Sequence, residues 1–197
     1  MAFTLRGLAG LTTTGHRLAD SVVVVIDAQR EYVDGTVALP GVDAAVENIV
    51  RLLDVARRLD VPIIHVAHVG APGGPFDPAG PGVIIDRVAP IEGEGVVEKR
   101  LPNSFAGTDL DERVRATGRK TLVIAGFMTH MCVSATARAA IDHGYDSTVV
   151  SDATGTRDLP SAVGSDVVPA QVVHETALAE LADRFAAVVT TEQVLAP

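Results

Sequence analysis

The chain has 197 residues, 47% of them hydrophobic and 21% charged, with a mean hydropathy of +0.29. That composition excludes a disordered chain and suits a single core-rich domain. A formal charge of −9 argues against nucleic acid and anionic membranes as partners, because both repel an acidic surface. Cys132 is the only cysteine, so an intrachain disulfide is excluded and a reducing compartment is expected. No apolar run reaches the roughly 18 residues of a membrane span. The N-terminal stretch lacks the continuous apolar core of a signal peptide. The expected location is therefore the cytoplasm.

Residues 1–20 read as an arm that leads into one domain over residues 21–197. Val22 to Ile26 is a continuous apolar run, the pattern of a strand buried on both faces, and it stops at Asp27. Ala45, Ile49, Leu52, Leu53, Ala56 and Leu59 recur at helical spacing, and Asp60-Val61-Pro62 breaks that helix. Ile63 to Ala67 is a second strand. In the segment Gly70–Gly82, nine of thirteen residues are Gly or Pro, which rules out a helix or a strand interior. It reads either as a surface loop or as a lid or wall of a site. Val96 to Glu98 is a short strand leading into Lys99. Asp109 to Thr117 is helical and ends at Gly118.

Leu122 to Ala125 is the next buried strand. Gly126 and the turn Phe127 to His130 lead into a helix with Val133, Thr136, Ala137 and Ala140 on one face. Ser147 to Ser151 is a strand, and Asp152 to Asp166 reads as loop. Pro169 opens a helix, Ala187 to Val189 is the last strand, and Thr190 with Gln193 forms a capping box for a short final helix. Strands alternating with amphipathic helices predict an α/β fold. It is a doubly wound, mainly parallel six-stranded sheet with helices on both faces, a Rossmann-like three-layer arrangement.

In such sheets chemistry gathers outside the carboxyl ends of the strands. Asp27 ends the first strand, Lys99 the third, and Cys132 follows the fourth. Cys132 also falls in the first helical turn, where the helix dipole is expected to lower a thiol pKa. A carboxylate can take the thiol proton, and an ammonium can stabilise both anions. Singly, each residue has an ordinary reading: a buried thiol filler, a loop-capping aspartate, a solvated lysine.

The residues that surround these three carry a resemblance. Val24-Val25-Ile26-Asp27-Ala28-Gln29, Glu98-Lys99, Ser104-Phe105, Gly107-Thr108-Asp109-Leu110, Gly126-Phe127-Met128-Thr129-His130-Met131-Cys132-Val133 and Asp152-Ala153 resemble the isochorismatase-like cysteine hydrolase superfamily over about Val22 to Leu195. That superfamily includes nicotinamidases, carbamoylsarcosine and ureidoacrylate amidohydrolases, and isochorismatases. The resemblance implies Cys132 as nucleophile, Asp27 as general base and then acid, and Lys99 as electrostatic support. It implies a cis peptide between Phe127 and Met128, with the Met128 and Cys132 N–H groups as an oxyanion hole. It also implies hydrolysis of an amide or ureide C–N bond through a Cys thioester. The alternatives are vinyl ether hydrolysis of the isochorismatase type using Asp27, and a non-catalytic small-molecule-binding or assembly protein on the same fold.

Nicotinamidases of the superfamily carry an Asp and His metal cluster in a D-x-H-type pattern. Here His65 and His68 are three apart on a strand and point to opposite faces, so no metal is expected, and no cofactor. Tyr32, Phe105 and Gln171 are candidate substrate contacts, with packing as the other reading of the two aromatics. His130 and His174 carry no expected catalytic role. Gly118-Arg119-Lys120-Thr121 precedes a strand and lacks the first glycine of a phosphate loop. The expected partners are a small-molecule substrate and further copies of the chain, with neither nucleic acid nor membrane.

Overall fold

A computed structural model describes residues 2–196. The strands are β1 (Ser21–Ile26), β2 (Ile63–His68), β3 (Gly95–Lys99), β4 (Thr121–Phe127), β5 (Asp146–Gly155), β6 (Leu159–Pro160), β7 (Val167–Val168) and β8 (Ala186–Val189). The helices are α1 (Leu5–Leu8), α2 (Val42–Arg58), α3 (Leu110–Ala116), α4 (Ser134–Asp142), α5 (Ala170–Glu180) and α6 (Thr191–Leu195). Six strands form one parallel sheet in the order β3-β2-β1-β4-β5-β8, while β6 and β7 make a separate antiparallel ribbon. This is the doubly wound three-layer α/β fold.

The order reverses between β1 and β4, which pair directly from Ser21↔Thr121 to Ile26↔Gly126. All six residues of β1 are buried. Val23 and Val25 face a core with Ile49, Leu52 and Leu53 of α2, and Val22, Val24 and Ile26 face one with Leu110, Val114, Val133 and Ala137. Removing each such side chain from water is worth about 1.5–3 kcal/mol, so β1 is anchored from both sides. Leu59 departs from the expected helical stripe: it lies past the end of α2 and is exposed.

The expected loop after the fifth strand begins later than the sequence suggested. β5 continues to Gly155, pairing Gly126↔Thr154 and Phe127↔Gly155 after a break in register. The break occurs at Gly126, whose φ is +112°. A Cβ there would sit 1.9 Å from the Ile26 carbonyl oxygen, so only glycine lets β4 lie this close to β1. Asp152, within this longer strand, accepts the Thr191 N–H at 2.7 Å and thereby fastens α6. The Thr190 and Gln193 capping box is present.

The N-terminal residues are tied to the sheet as well. Arg6 of α1 is buried and lies 2.8 Å from the Asp146 carboxylate, and the His16 N–H donates to the Thr148 hydroxyl at 2.9 Å. Among the described residues no helix is long and apolar enough to cross a membrane.

Candidate active site

Three strands deliver one side chain each to the carboxyl edge of the sheet. Asp27 is the first residue beyond β1. Its N–H still bonds the Val66 carbonyl at 2.8 Å, yet its φ is +49°. A left-handed φ costs a non-glycine residue about 1–2 kcal/mol, with Asp among the tolerant types. Lys99 ends β3, two strands away, and reaches across the end of β2. Its Nζ donates to Asp27 Oδ2 at 2.7 Å and to Cys132 Sγ at 3.3 Å. The Asp27 and Lys99 side chains are fully covered, and Cys132 is 6% exposed. Asp27 Oδ1 is buried with no hydrogen-bond partner among the described residues.

Cys132 lies in a wide turn, Thr129–Val133, that precedes α4. The Met128 carbonyl accepts both the Met131 N–H at 3.0 Å and the Val133 N–H at 3.2 Å, so one extra residue is inserted where an ordinary helical start was expected. The turn is pinned by its neighbours. The Thr129 hydroxyl pairs with His174 Nδ1 of α5 at 2.9 Å, and His130 Nδ1 pairs with the Thr156 hydroxyl beyond β5. These are the places of the two histidines, both outside the Asp27, Lys99 and Cys132 cluster. The Phe127–Met128 peptide is cis, and the Met128 N–H bonds no acceptor among the described residues.

The electrostatics correct one expectation. The position of Cys132 near a helix start was expected to lower its pKa; instead the thiol is pushed up to about 12. Burial is the largest cause and the negative charge of Asp27 the next, with Lys99 opposing both. Asp27 is itself raised, chiefly by burial, against the pull of Lys99. Desolvation therefore outweighs the dipole of a distorted first turn. The two acids sit close enough that the charge on one makes the other harder to ionise. At pH 8, iodoacetamide should label Cys132 more slowly than free cysteine by on the order of a hundredfold or more. Measured alkylation rates at that pH check this directly; a rate equal to that of free cysteine would contradict it.

The other candidates separate. Tyr32 is buried beside the cluster, edge-on to Phe76 at 5.2 Å and to Phe127 at 5.6 Å between ring centroids. Burial raises its hydroxyl pKa, and the charges of Asp27 and Cys132 add to that. Phe105 instead stacks on His143 at 4.4 Å and lies parallel to Tyr145 at 6.0 Å in the core beneath α3 and α4, which accounts for it by packing. Gln171 is exposed on α5 and bonds Glu175 at 3.0 Å. It borders a cavity of about 520 Å³ lined also by Gly41, Thr154, Thr156 and His174, and not by Asp27, Lys99 or Cys132.

Two residues at or near the cluster were not singled out from the sequence as part of it. His68 Nδ1 lies 3.4 Å from Lys99 Nζ; the sequence reading weighed it only as a metal ligand. Burial and the Lys99 charge lower its pKa, which favours the neutral ring that can accept from an ammonium. His65 points elsewhere, to Glu94 at 2.9 Å, and among the described residues no group of three metal-binding side chains occurs. Arg157 is a cation on the Tyr32 side of the rim. Its charge acts on both the Tyr32 hydroxyl and the His130 ring, and its Nε is buried without an acceptor among the described residues. No spacing or periodicity signal marks it, because it sits in an irregular segment.

Comparison with known proteins agrees with this fold. The model of the isochorismatase domain matches residues 21–193. The chain is 39% identical to the secreted isochorismatase effector Isc1 of Verticillium dahliae, over 97% of this chain and 98% of that one. It is 29% identical to the maleamate amidohydrolase of Pseudomonas putida, covering 88% of this chain and 84% of the relative. A crystal structure of an isochorismatase from Pseudomonas putida KT2440 superposes with a TM-score of 0.94 at 44% identity, over 99% of this chain and 100% of the other. A parallel sheet with these side chains at its switch point, matched along almost its whole length, places the chain in the isochorismatase family of hydrolases.

Proposed function

We propose that this protein is a cysteine hydrolase that cleaves an amide or ureide C–N bond of a small molecule through a thioester on Cys132. The single observation that carries the reading is the buried Lys99 ammonium, bonded at once to Asp27 Oδ2 and Cys132 Sγ. A fully covered cation shared by an acid and a thiol has little to offer packing and much to offer charge moving between them. Asp27 Oδ1, unpartnered among the described residues, is the atom free to receive a proton.

The steps follow from those atoms. As Sγ bonds to the substrate carbonyl carbon, the thiol proton passes to Asp27. Lys99 holds the charge that shifts onto the sulfur, which explains how a thiol with a raised pKa reacts without standing thiolate. The oxyanion lies against the Met128 and Cys132 N–H groups; removing one such donor typically costs about 2.7–4 kcal/mol of barrier. The C–N bond breaks as Asp27 returns the proton to the leaving amine. Water then attacks the thioester carbon as one of its protons passes to Asp27; the C–S bond breaks, Asp27 returns that proton to the sulfur, and the acyl group leaves as a carboxylic acid with the thiol and the Asp27 carboxylate restored. Tyr32 walls the site, and a substrate bearing an anionic group would find Arg157 nearby.

A second reading is favoured by the name of one relative, the secreted isochorismatase effector Isc1. In it Asp27 protonates a vinyl ether and Cys132 is dispensable. One experiment separates the two. Wild type and Cys132→Ala are offered a panel of small amides, ureides and carbamoyl compounds together with isochorismate. Amide turnover in the wild type that vanishes in the variant supports the thioester route. Isochorismate turnover that survives in the variant, with no amide cleaved by either protein, overturns it.

A further inference from the structure

The segment Gly70–Gly82, which the sequence left open between a surface loop and a wall, carries one aromatic residue, Phe76. Its φ is +60°, unusual for a bulky residue, and its ring is half-buried. That ring meets two others edge-on, Tyr32 at 5.2 Å and His68 at 5.1 Å. Tyr32 lies in the turn after Asp27. His68 ends β2 and touches the Lys99 ammonium at 3.4 Å. The rings thus form an arch, with one foot beside the carboxylate and the other beside the amine.

Bonds that do not involve the ring hold the arch in place. Gln29, wholly buried, donates from Nε2 to the carbonyls of His68, at 2.9 Å, and of Gly82. Its Oε1 accepts the His68 N–H at 2.9 Å, so one side chain staples both ends of the loop. Glu31, also buried, accepts the Phe76 N–H at 3.4 Å and the Val37 N–H at 3.1 Å. The Asp77 carboxylate accepts from Gly73 at 2.7 Å and from Ala79 at 2.9 Å. The Gly70 N–H donates to the Phe76 carbonyl at 2.9 Å, and a Cβ on Gly70 would lie 1.9 Å from the Pro75 oxygen. A loop framed by this many hydrogen bonds, around a backbone that favours glycine, has Phe76 as its payload. Were it only a surface connection, no large apolar ring would need to be presented at a positive φ.

We propose that Phe76 is the specificity-determining residue of this site. Its ring roofs the cluster of Asp27, Lys99 and Cys132 and admits flat, small acyl groups while turning bulky ones away. Aromatic faces and edges favour planar partners, and close-packed rings yield little to added volume. The proposal rests on Cys132 as the reacting group.

Because Cys132 is the only cysteine, maleimides report access to it directly. N-methylmaleimide and N-phenylmaleimide share the reacting ring and differ in bulk. Labelling rates are compared at one pH for wild type, Phe76→Ala and Phe76→Leu, with circular dichroism as the fold check. The expected result is that Phe76→Ala speeds N-phenylmaleimide by about tenfold or more and N-methylmaleimide by less than about threefold, a selectivity of over half a decade in rate. Phe76→Leu, which keeps much of the bulk, is expected close to wild type. Equal acceleration of both reagents, the mark of a loosened loop, overturns the proposal, as does no acceleration of either. Labelling requires no turnover, so this result is independent of what the protein hydrolyses; that reading stands or falls with Cys132→Ala.

Discussion

Cys132→Ala is expected to lower kcat/KM on any amide or ureide substrate by on the order of 10⁴-fold or more, with the fold intact. On the proposed thioester route the nucleophile has no substitute in the cluster. The residual rate would come only from the oxyanion donors and binding, which by themselves leave a small fraction of the catalysed rate. The structural consequence is small by contrast. Cys132 is buried among Val133, Ala137 and Phe105, and losing its sulfur removes one heavy atom from a well-filled core. About 1 kcal/mol of destabilisation follows, or a few degrees in Tm for a chain of this size. Steady-state kinetics beside a thermal melt test both halves. Full activity in the variant would discard the thioester.

Lys99→Met is expected to do the opposite to stability. The side chains of Lys99 and Asp27 are both fully covered, so removing the ammonium leaves a carboxylate in the protein interior without its countercharge. Breaking a buried pair from one side typically costs about 3–5 kcal/mol. The loss depends on pH, and the sign follows from Asp27. Its native pKa is already raised by burial, and Lys99 is the largest influence holding it down. Without Lys99 it rises further above the unfolded value. Native protein then binds more protons than unfolded protein across that interval, and stability falls as pH rises through it. The deficit of the variant against wild type should thus be small near pH 4 and largest near pH 8. Urea denaturation at both values measures it. A constant deficit would mean that Asp27 does not carry the penalty. Turnover at neutral pH is expected to be lost as well, since a carboxylate that has become a carboxylic acid cannot take the thiol proton.

Lys99→Met also bears on the thiol. In wild type the thiol is held near 12 by burial and by Asp27. Lys99→Met removes the one influence that lowers it, while a protonated Asp27 no longer raises it through its charge. Burial, the largest cause, is unchanged, so alkylation of Cys132 in that variant is expected to remain far slower than that of free cysteine.

Much of this molecule can be read from residue order alone. The Val22 to Ile26 run is apolar without alternation because both faces of β1 are covered, and no edge strand or surface strand would tolerate that pattern. The stripe on α2, the capping box at Thr190 and the alternation of strands with helices follow from local rules and reappear in the fold. So does the gathering of Asp27, Lys99 and Cys132 at one edge, because strand ends in a parallel sheet share a side. The chain's membership in the isochorismatase family was legible in the blocks around those three residues.

What required three dimensions was everything set by burial and by irregular chain. The sign of the Cys132 shift came out opposite to the local argument, because desolvation is a property of the whole surroundings and not of a position within a helix. Local periodicity also missed the extra residue in the turn at Thr129–Val133 and the continuation of β5 past a register break. Phe105 and Tyr32 are both aromatics on loops, and only tertiary packing assigned the first to a core and the second to the rim of the cluster. His68, Phe76 and Arg157 acquire meaning solely from neighbours distant in sequence. Residue order thus determined the sheet, its helices and which reactive groups share an edge, since these depend on period and handedness. Tertiary structure alone decided how those groups are charged and what roofs them, since both depend on water being excluded by side chains that no local pattern brings together.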